Sequence, residues 1–213
     1  VEGGIGGKGN YKFKSSTNQA PRRFQQGIKG QEMWVWLRLK LIADLGFVGI
    51  PNAGKSTLLS LLSNAKPKIA DYPFTTIKPQ LGILRLNYGD IVLADLPGLI
   101  KGASKGTGLG LKFLAHIERC KAIIHVCDLS VKSDYNFIEN YKMIRKEIVD
   151  YGKDVFKKEE IILLSKCDLV TEKVIQKRIN LLKKLTRSKI DFISSHKNIG
   201  LEKLKNDFKR FFK

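Results

Sequence analysis

The stretch that most constrains this chain is residues 49–56, GIPNAGKS, which fits the phosphate-loop pattern G-x-x-x-x-G-K-[ST]. An apolar run over residues 41–48, interrupted only by Asp44, precedes it and predicts a buried strand. Residues 57–63 that follow predict a helix. Strand, glycine loop and helix in this order predict a P-loop, in which the loop amides and the helix N-terminus face a bound phosphate. A chance glycine turn is the alternative, and its neighbours disfavour it.

The loop assigns roles to its own residues. Gly49 and Gly54 allow a tight turn and a close approach of the backbone to a phosphate. Lys55 is predicted to reach the β- and γ-phosphates of a nucleotide, and the Ser56 hydroxyl to ligate Mg²⁺.

A P-loop enzyme also needs an acidic residue at the end of a neighbouring strand, to hold Mg²⁺ through water. Asp95 ends the apolar run 91–95 and begins the D-x-x-G sequence that closes at Gly98. The Gly98 amide is then placed to sense a γ-phosphate. Between the two motifs, the loop 71–78 offers a threonine, Thr75 or Thr76, that can ligate Mg²⁺ only when a third phosphate is present. This predicts an order–disorder switch, against the alternative of an ordinary loop.

Recognition of the base is predicted at the far end of the sheet. Residues 163–168 form a strand that ends in K-x-D. The Asp168 carboxylate can accept hydrogen bonds from N1–H and the exocyclic amine of guanine together, and adenine has no such donor pair. Ser194, Ser195 and His196 follow the last predicted strand and can offer backbone amides to the guanine carbonyl.

Composition narrows the class of protein. The chain has 213 residues, of which 43% are apolar, and a net charge of +19. This charge favours a polyanionic partner such as RNA, although a lysine-rich background composition is an alternative. Cys120, Cys127 and Cys167 lack C-x-x-C spacing and are predicted to be reduced thiols of a cytoplasmic protein. The three histidines are scattered and are not predicted to bind metal. We see no signal peptide and no membrane span, and we expect no stable membrane insertion.

Residues 1–40 differ from the rest of the chain. They begin with a glycine-rich segment and end in a strand-like alternation over 33–41, which predicts the last part of a glycine-rich β domain.

Residues 41–213 predict an α/β domain with a mostly parallel sheet of six strands and helices on both faces. The turn at 87–90 predicts one antiparallel hairpin. The strand-like runs are 44–48, 81–86, 91–95, 122–128, 161–165 and 190–194. Residues 171–213 hold 13 Lys and Arg against 4 Asp and Glu, which indicates either a solvated helix face or an RNA-contacting one.

Together these motifs resemble those of the TRAFAC GTPases and, more narrowly, of the Obg family. The residues that carry the resemblance lie in 49–57, 71–76, 95–103, 108–110 and 116–120, and in the N-terminal segments 3–10 and 15–21. The resemblance implies a Ras-like P-loop G domain, preceded by part of the Obg domain. It also implies a monomeric, Mg²⁺-dependent GTPase that switches between GTP and GDP forms in assembly of the large ribosomal subunit, with rRNA as a partner.

The resemblance also implies the site. Metal ligands would be Ser56, Thr76 and, through water, Asp95, and the catalytic set would be Lys55, Asn52, Thr76 and Gly98. The implied nucleotide-binding residues are Gly49, Ile50, Pro51, Asn52, Ala53, Gly54, Lys55, Ser56, Thr57, Phe74, Thr75, Thr76, Ile77, Lys78, Asp95, Leu96, Pro97, Gly98, Ser165, Lys166, Cys167, Asp168, Ser194, Ser195 and His196.

Four positions stand out against that background. Ser165 replaces the asparagine usual before K-x-D, so contacts to the base and to the P-loop are expected to be weaker, and Ser195 replaces an alanine. Leu99 follows the D-x-x-G glycine where many GTPases carry a water-orienting glutamine, which predicts slow intrinsic hydrolysis. In related GTPases without that glutamine, an asparagine at the place of Asn52 helps to hold a monovalent cation, so K⁺ is a candidate cofactor.

Two other functions stay open. One is an ATPase of the same superfamily, which the loss of asparagine at position 165 allows and the Asp168 carboxylate disfavours. The other is an RNA-binding scaffold whose nucleotide only stabilises the fold, which the intact Lys55, Ser56, Thr76 and Asp95 disfavour.

Overall fold

A computed structural model describes residues 1–36, 43–63, 68–69, 79–87, 89–96, 116–152 and 155–208. The chain divides into two compact units, Val1–Leu39 and Lys40–Lys213.

In the first unit, two glycine-rich segments run antiparallel and meet at an isolated bridge between Ile5 and Ile28. Backbone amides of Gln25, Ile28 and Gln31 donate to carbonyls of Lys8, Ile5 and Glu2, at 2.8 to 3.0 Å. These bonds recur every third residue, which is the period of a polyproline II helix, whereas a β-strand has a period of two.

The strand-like alternation predicted near the end of this unit is not confirmed where it can be followed. Residues 33–36 are exposed and outside any strand, and residues 37–41 lie outside the described ranges. Alternating apolar residues form a strand when one face is covered, and Trp34 and Trp36 are fully exposed here. Across residues 1–36 the only regular elements are the bridge and a 3₁₀ turn at Asn10–Phe13.

The second unit contains a mixed sheet in which all six predicted strands are present. A seventh strand of two residues pairs antiparallel with the second predicted strand at the edge of the sheet. The strands are β1 Ala43–Val48, β2 Lys68–Ile69, β3 Gln80–Leu86, β4 Gly89–Asp95, β5 Cys120–Asp128, β6 Glu159–Ser165 and β7 Lys189–Phe192. Their order is β2-β3-β4-β1-β5-β6-β7, parallel from β4 to β7. The predicted hairpin joins β3 and β4, which pair antiparallel.

Helices cover both faces of this sheet, as predicted. They are α1 Lys55–Leu62, α2 Asp134–Tyr151, α3 Glu172–Lys183 and α4 Leu201–Phe208. In β5, Ile124 packs in one core cluster with residues of α1 and α4, whereas its neighbour Ile123 packs in another with residues of α2. Since successive strand residues point to opposite faces, the near-continuous apolar sequence of β5 follows from burial on both sides. None of the described helices has the length and apolar character needed to cross a membrane.

The topology also selects where a ligand can bind. β1 lies between β4 and β5, and α1 after β1 packs on the opposite face of the sheet from α2 after β5, so these two connections diverge at the carboxyl ends of their strands. In open α/β sheets this edge forms the ligand crevice. The register brings Phe47 opposite Asp95 and Asp128 opposite Ser165, so the ends of four strands carry polar residues or the P-loop to one edge.

Candidate functional site

The glycine loop has the backbone geometry that its sequence predicts. Gly49 has a φ of 153°, and a Cβ at this position would lie 2.4 Å from the carbonyl oxygen of Val126. Gly54 has a φ of 95° and forms the N-cap of α1. Both conformations favour glycine, so the loop can pass close to β5 and then start a helix without a side chain in the way.

Lys55 is the first residue of α1 and is buried, with 6% of its surface exposed. Its Nζ donates hydrogen bonds to the carbonyls of Gly49 at 3.1 Å and Ile50 at 3.0 Å. Burial lowers the pKa of Lys55, and the charge of Asp95 partly counteracts this. A buried ammonium group curled under the loop, next to a helix N-terminus, forms a strong site for a phosphate.

Ser56 and Asp95 meet beside this lysine. The Ser56 hydroxyl donates to Oδ2 of Asp95, although the two residues are 39 positions apart. Asp95 is 6% exposed, and its second oxygen, Oδ1, is buried without a hydrogen-bond partner among the described residues. A hydroxyl and an unpaired carboxylate oxygen fit Mg²⁺, which binds through one or two protein oxygens together with water and substrate phosphates. The described residues contain no group of three His, Cys, Asp or Glu that could hold a metal.

The rest of the loop is divided between buried and exposed positions. Ala53 is fully buried, whereas Pro51 and Asn52 are exposed. Asn52 has a φ of 61°, in the left-handed region that asparagine adopts more readily than most residues. The exposed amide of Asn52 therefore lies on the solvent side of the phosphate loop.

Ser165 connects the predicted base motif directly to the P-loop. It ends β6, is 3% exposed, and donates from Oγ to the carbonyl of Ala53 at 2.7 Å. The same oxygen lies 3.3 Å from the carbonyl of Cys127. The short serine side chain therefore still reaches the loop backbone, and a link weaker than that of asparagine stays a prediction.

Sequence reasoning missed Asp128, which pairs with Lys166, and Ser130, which donates hydrogen bonds to Asp128. The Nζ of Lys166 lies 2.6 Å from Oδ2 of Asp128, whose Oδ1 accepts from the backbone amide and hydroxyl of Ser130. Burial favours the neutral form of Asp128, but the hydrogen bonds from Lys166 and Ser130 outweigh it and lower the pKa of this carboxyl. An acidic residue at the end of a predicted strand next to the K-x-D strand was the signal for Asp128.

Asp168 accepts a hydrogen bond from the side chain of Ser194. A hydrogen bond from the Ser194 side chain lowers the pKa of Asp168, which keeps it a carboxylate. Ser194 is fully buried, and its oxygen also accepts from the backbone amide of Lys197 at 3.0 Å. The amide of Cys167 donates to the carbonyl of Ile193, so the two predicted base loops are joined through backbone as well. Ser195 is half-buried and His196 is exposed.

The structure brings together only part of the predicted site. The P-loop, Asp95 and Ser165 form one connected group, and Leu96 beside them is fully buried. Thr57, also predicted to bind the nucleotide, is exposed. The predicted switch residues Phe74, Thr75, Thr76, Ile77, Lys78, Pro97, Gly98 and Leu99 lie outside the described ranges.

Comparisons with known proteins agree with this geometry. A family model described as 50S ribosome-binding GTPase matches residues 44–166, and one described as GTP1/OBG matches residues 1–41. The protein GTPase Obg of Rickettsia typhi is 50% identical over 204 residues, which cover 96% of this chain and 61% of that protein. GTPase Obg of Persephonella marina is 53% identical over 180 residues, covering 84% of this chain and 53% of the relative. The chain thus spans less than two thirds of the length of these relatives.

Among solved structures, the G domain of the Thermotoga maritima FeoB iron transporter matches with a TM-score of 0.61. It is 22% identical, and the match covers 79% of this chain and 98% of the FeoB domain. At this identity the likeness concerns the fold, which is that of a P-loop G domain.

Proposed function

This chain belongs to the Obg family of GTPases, and from that premise we propose that it binds GTP and GDP with Mg²⁺ and hydrolyses GTP. The observation that carries the proposal is the meeting of Lys55, Ser56 and Asp95 at one edge of the sheet. We propose the division into an Obg-type segment, residues 1–40, and a G domain, residues 41–213, on the same basis.

In this proposal Lys55 contacts the β- and γ-phosphates, and the P-loop amides surround the β-phosphate. The Ser56 hydroxyl, now bonded to Asp95, would turn to the metal, and the free oxygen of Asp95 would hold a metal-bound water. Mg²⁺ would neutralise charge on the phosphates when bound. Thr76 would join this ligand set only in the GTP state, and the Gly98 amide would sense the γ-phosphate.

Turnover separates the enzyme from an RNA-binding scaffold with a structural nucleotide. We expect phosphate release from GTP that requires Mg²⁺ and stops with EDTA. Tight nucleotide binding without any release of phosphate would favour the scaffold.

Preference for guanine rests on Asp168, which its bond from Ser194 keeps ionised and oriented. A carboxylate rejects adenine because it finds no donor pair there. Competition of GTP and ATP for the same site tests this. Equal displacement by the two nucleotides would instead favour the ATPase alternative.

Intrinsic hydrolysis is expected to be slow, because Leu99 cannot orient water, and K⁺ held near Asn52 is a candidate activator. We expect faster GTP turnover in KCl than in NaCl at equal ionic strength. Asn52→Gly is the sharpest variant, because glycine keeps the φ of 61° while removing the amide. This variant should lose the difference between the two salts and keep its affinity for GDP. Equal rates in both salts for the unmodified chain would exclude the K⁺ mechanism.

We further propose that the protein acts in the cytoplasm as a switch in assembly of the large ribosomal subunit. The name of the matching family model and the net charge of +19 support this proposal. Co-sedimentation with large subunits in the presence of a non-hydrolysable GTP analogue, and not with GDP, is the expected result. Equal co-sedimentation in the two nucleotide states would contradict a switch.

A further inference from the structure

The outer face of α3 carries a row of cations. Ile175, Ile179 and Leu182 turn one side of this helix into the core. The exposed side presents Lys173 and Lys177 four residues apart, followed by Lys183 and Lys184, with Arg187 exposed just beyond the helix. We call these five residues the basic face. Spacings of three and four residues place side chains on the same side of a helix, so Lys173, Lys177 and Lys184 form one line.

Little negative charge opposes this face. Within the described residues, Lys173, Lys183, Lys184 and Arg187 have no carboxylate within ion-pair distance. Lys177 pairs with Asp134 at 2.6 Å, but the same carboxylate also accepts from the buried Arg178 at 3.0 Å. One negative charge therefore serves two cations, and the face stays positive at its middle.

Helix stability does not account for the position of Lys173. A cation in the first turn of a helix lies at the positive end of the helix dipole, which disfavours it by a few tenths of a kcal/mol. Arg187 is exposed in a turn in which the hydroxyl of Thr186 accepts a hydrogen bond from the backbone amide of Ser188 at 3.0 Å. This hydrogen bond closes the turn around the exposed Arg187.

We infer that the basic face is a docking surface for the phosphate backbone of RNA, an inference that rests on the proposed action at the ribosome. Lys173 and Lys184 are separated by about 17 Å along the helix, so the basic face is long enough to contact several phosphates. The exposed residues of α3 are all polar, namely Glu172, Lys173, Gln176, Lys177, Asn180 and Lys183.

This polar character separates RNA from two other polyanions. Helices that bind anionic membranes need an apolar face to enter the lipid, and α3 turns its own apolar side into the protein core. Protein interfaces depend on buried aromatic or aliphatic anchors, and across residues 172–187 the single exposed apolar side chain is Leu185, just beyond α3. Contacts of lysine with phosphate are independent of sequence and depend on salt, which defines the experiment.

The test compares two triple variants of the whole chain that carry the same net charge. One replaces unpaired lysines of the basic face: Lys173→Gln, Lys183→Gln and Lys184→Gln. The control replaces lysines that each have a carboxylate partner elsewhere: Lys121→Gln, Lys142→Gln and Lys205→Gln. Glutamine has nearly the helix propensity of lysine, so the substitutions at helical positions do not weaken their helices through propensity, and Lys121 lies in β5. Affinity for a double-stranded RNA hairpin and for large-subunit rRNA is measured over a series of KCl concentrations.

For the basic-face variant we expect RNA affinity at 0.1 M KCl to fall roughly tenfold, and the slope of log K against log[KCl] to shrink by about 2. The control should keep the slope of the unmodified chain. An equal loss in both variants would mean attraction by net charge alone and would overturn the inference. No loss in the basic-face variant would overturn it as well, and so would binding to phosphatidylserine vesicles with the same dependence on these lysines but no binding to RNA.

Binding of GDP and turnover of GTP are measured on the same three proteins. Retained nucleotide binding together with no role of the basic face would refute only the docking surface. Failure of GTP turnover in the unmodified chain would refute the proposed enzyme, whereas the RNA affinities would still test the docking surface.

Discussion

At the phosphate end of the candidate site, Lys55 is held by carbonyls five and six residues away, whereas at the base end Ser165 contacts a carbonyl 112 residues away. The hydrogen bonds of Lys55 are local, because one loop and the first turn of one helix supply them, whereas the contact of Ser56 with Asp95 of β4 spans 39 residues. The second end is assembled from β5, β6 and the segment after β7, through Asp128, Ser165 and Ser194.

The comparison teaches that the two ends tolerate change differently. The phosphate loop depends on particular residue types at fixed positions. Other residues rarely adopt the backbone conformations of Gly49 and Gly54, and no neighbouring residue can take the place of Lys55. A long-range assembly depends on a hydrogen bond being made, and more than one side chain can make it. Serine in place of asparagine at position 165 is one such replacement.

The largest expected effect is at the phosphate end. Lys55→Ala should weaken binding of GDP and GTP by roughly 100-fold or more, because it removes a charge-assisted phosphate contact in a buried site. Titration with a fluorescent GDP analogue measures this. Lys121→Ala, at an exposed lysine, serves as the control and should bind normally. Unchanged affinity in Lys55→Ala would show that the phosphates do not bind at this loop.

At the base end, Asp168→Asn should exchange base preference while sparing the phosphate contacts. We expect GDP affinity to fall roughly 10- to 100-fold and xanthosine diphosphate to become the better ligand, because its ring carries a carbonyl where guanine has an amine. Competition between the two nucleotides measures the exchange. Equal weakening of both would mean that Asp168 supports the loop and does not read the base.

Ser165→Ala tests whether the two ends are joined as the structure indicates. Loss of the hydroxyl leaves the buried carbonyl of Ala53 without this donor, at a cost of about 1–3 kcal/mol, shared between folding and nucleotide binding. Because this bond concerns the P-loop, affinity for GDP and for inosine diphosphate should fall by the same factor. Ser165→Thr keeps the hydroxyl and should restore both. A loss confined to GDP would instead place Ser165 at the base.

The smallest expected effect concerns the framework behind the base end. On the α2 face of β5 and β6, His125 Nδ1 lies 3.1 Å from Oε1 of Glu160, and both side chains are buried. Burial opposes charging of His125, but the Cys127 sulfur and the Glu160 carboxylate outweigh it and raise the pKa of His125 to about 9. The stabilising contribution is therefore complete below about pH 6.5, the ordinary histidine value, and is lost as the pH rises through 9.

We expect the free energy of unfolding in urea to fall by on the order of 1 kcal/mol between pH 6.5 and 9.5 through this residue. His125→Gln should remove this part of the pH dependence, whereas the exposed His196→Gln should retain it. Identical pH profiles for His125→Gln and the unmodified chain would show that the pair is not charged in the folded protein.

Much of the fold and part of the site could be predicted because their signals are local. The P-loop, the six strand runs and the β3–β4 hairpin each depend on residues that are close together in the chain. Prediction failed where a short stretch of sequence did not carry enough information to define the element. The alternation over 33–36 resembled a strand, and two residues of β2 gave too short a pattern to detect.

The sequence by itself determined the kind of chemistry, since a glycine loop ending in lysine and serine specifies phosphate binding wherever a strand and a helix flank it. The tertiary structure decided which residues complete that site. Asp128 pairs with Lys166 and is itself held by Ser130, Ser194 donates a hydrogen bond to Asp168, and Ser165 reaches Ala53. Such contacts depend on strand register, which places residues far apart in the chain within hydrogen-bond distance. No local pattern records those distances.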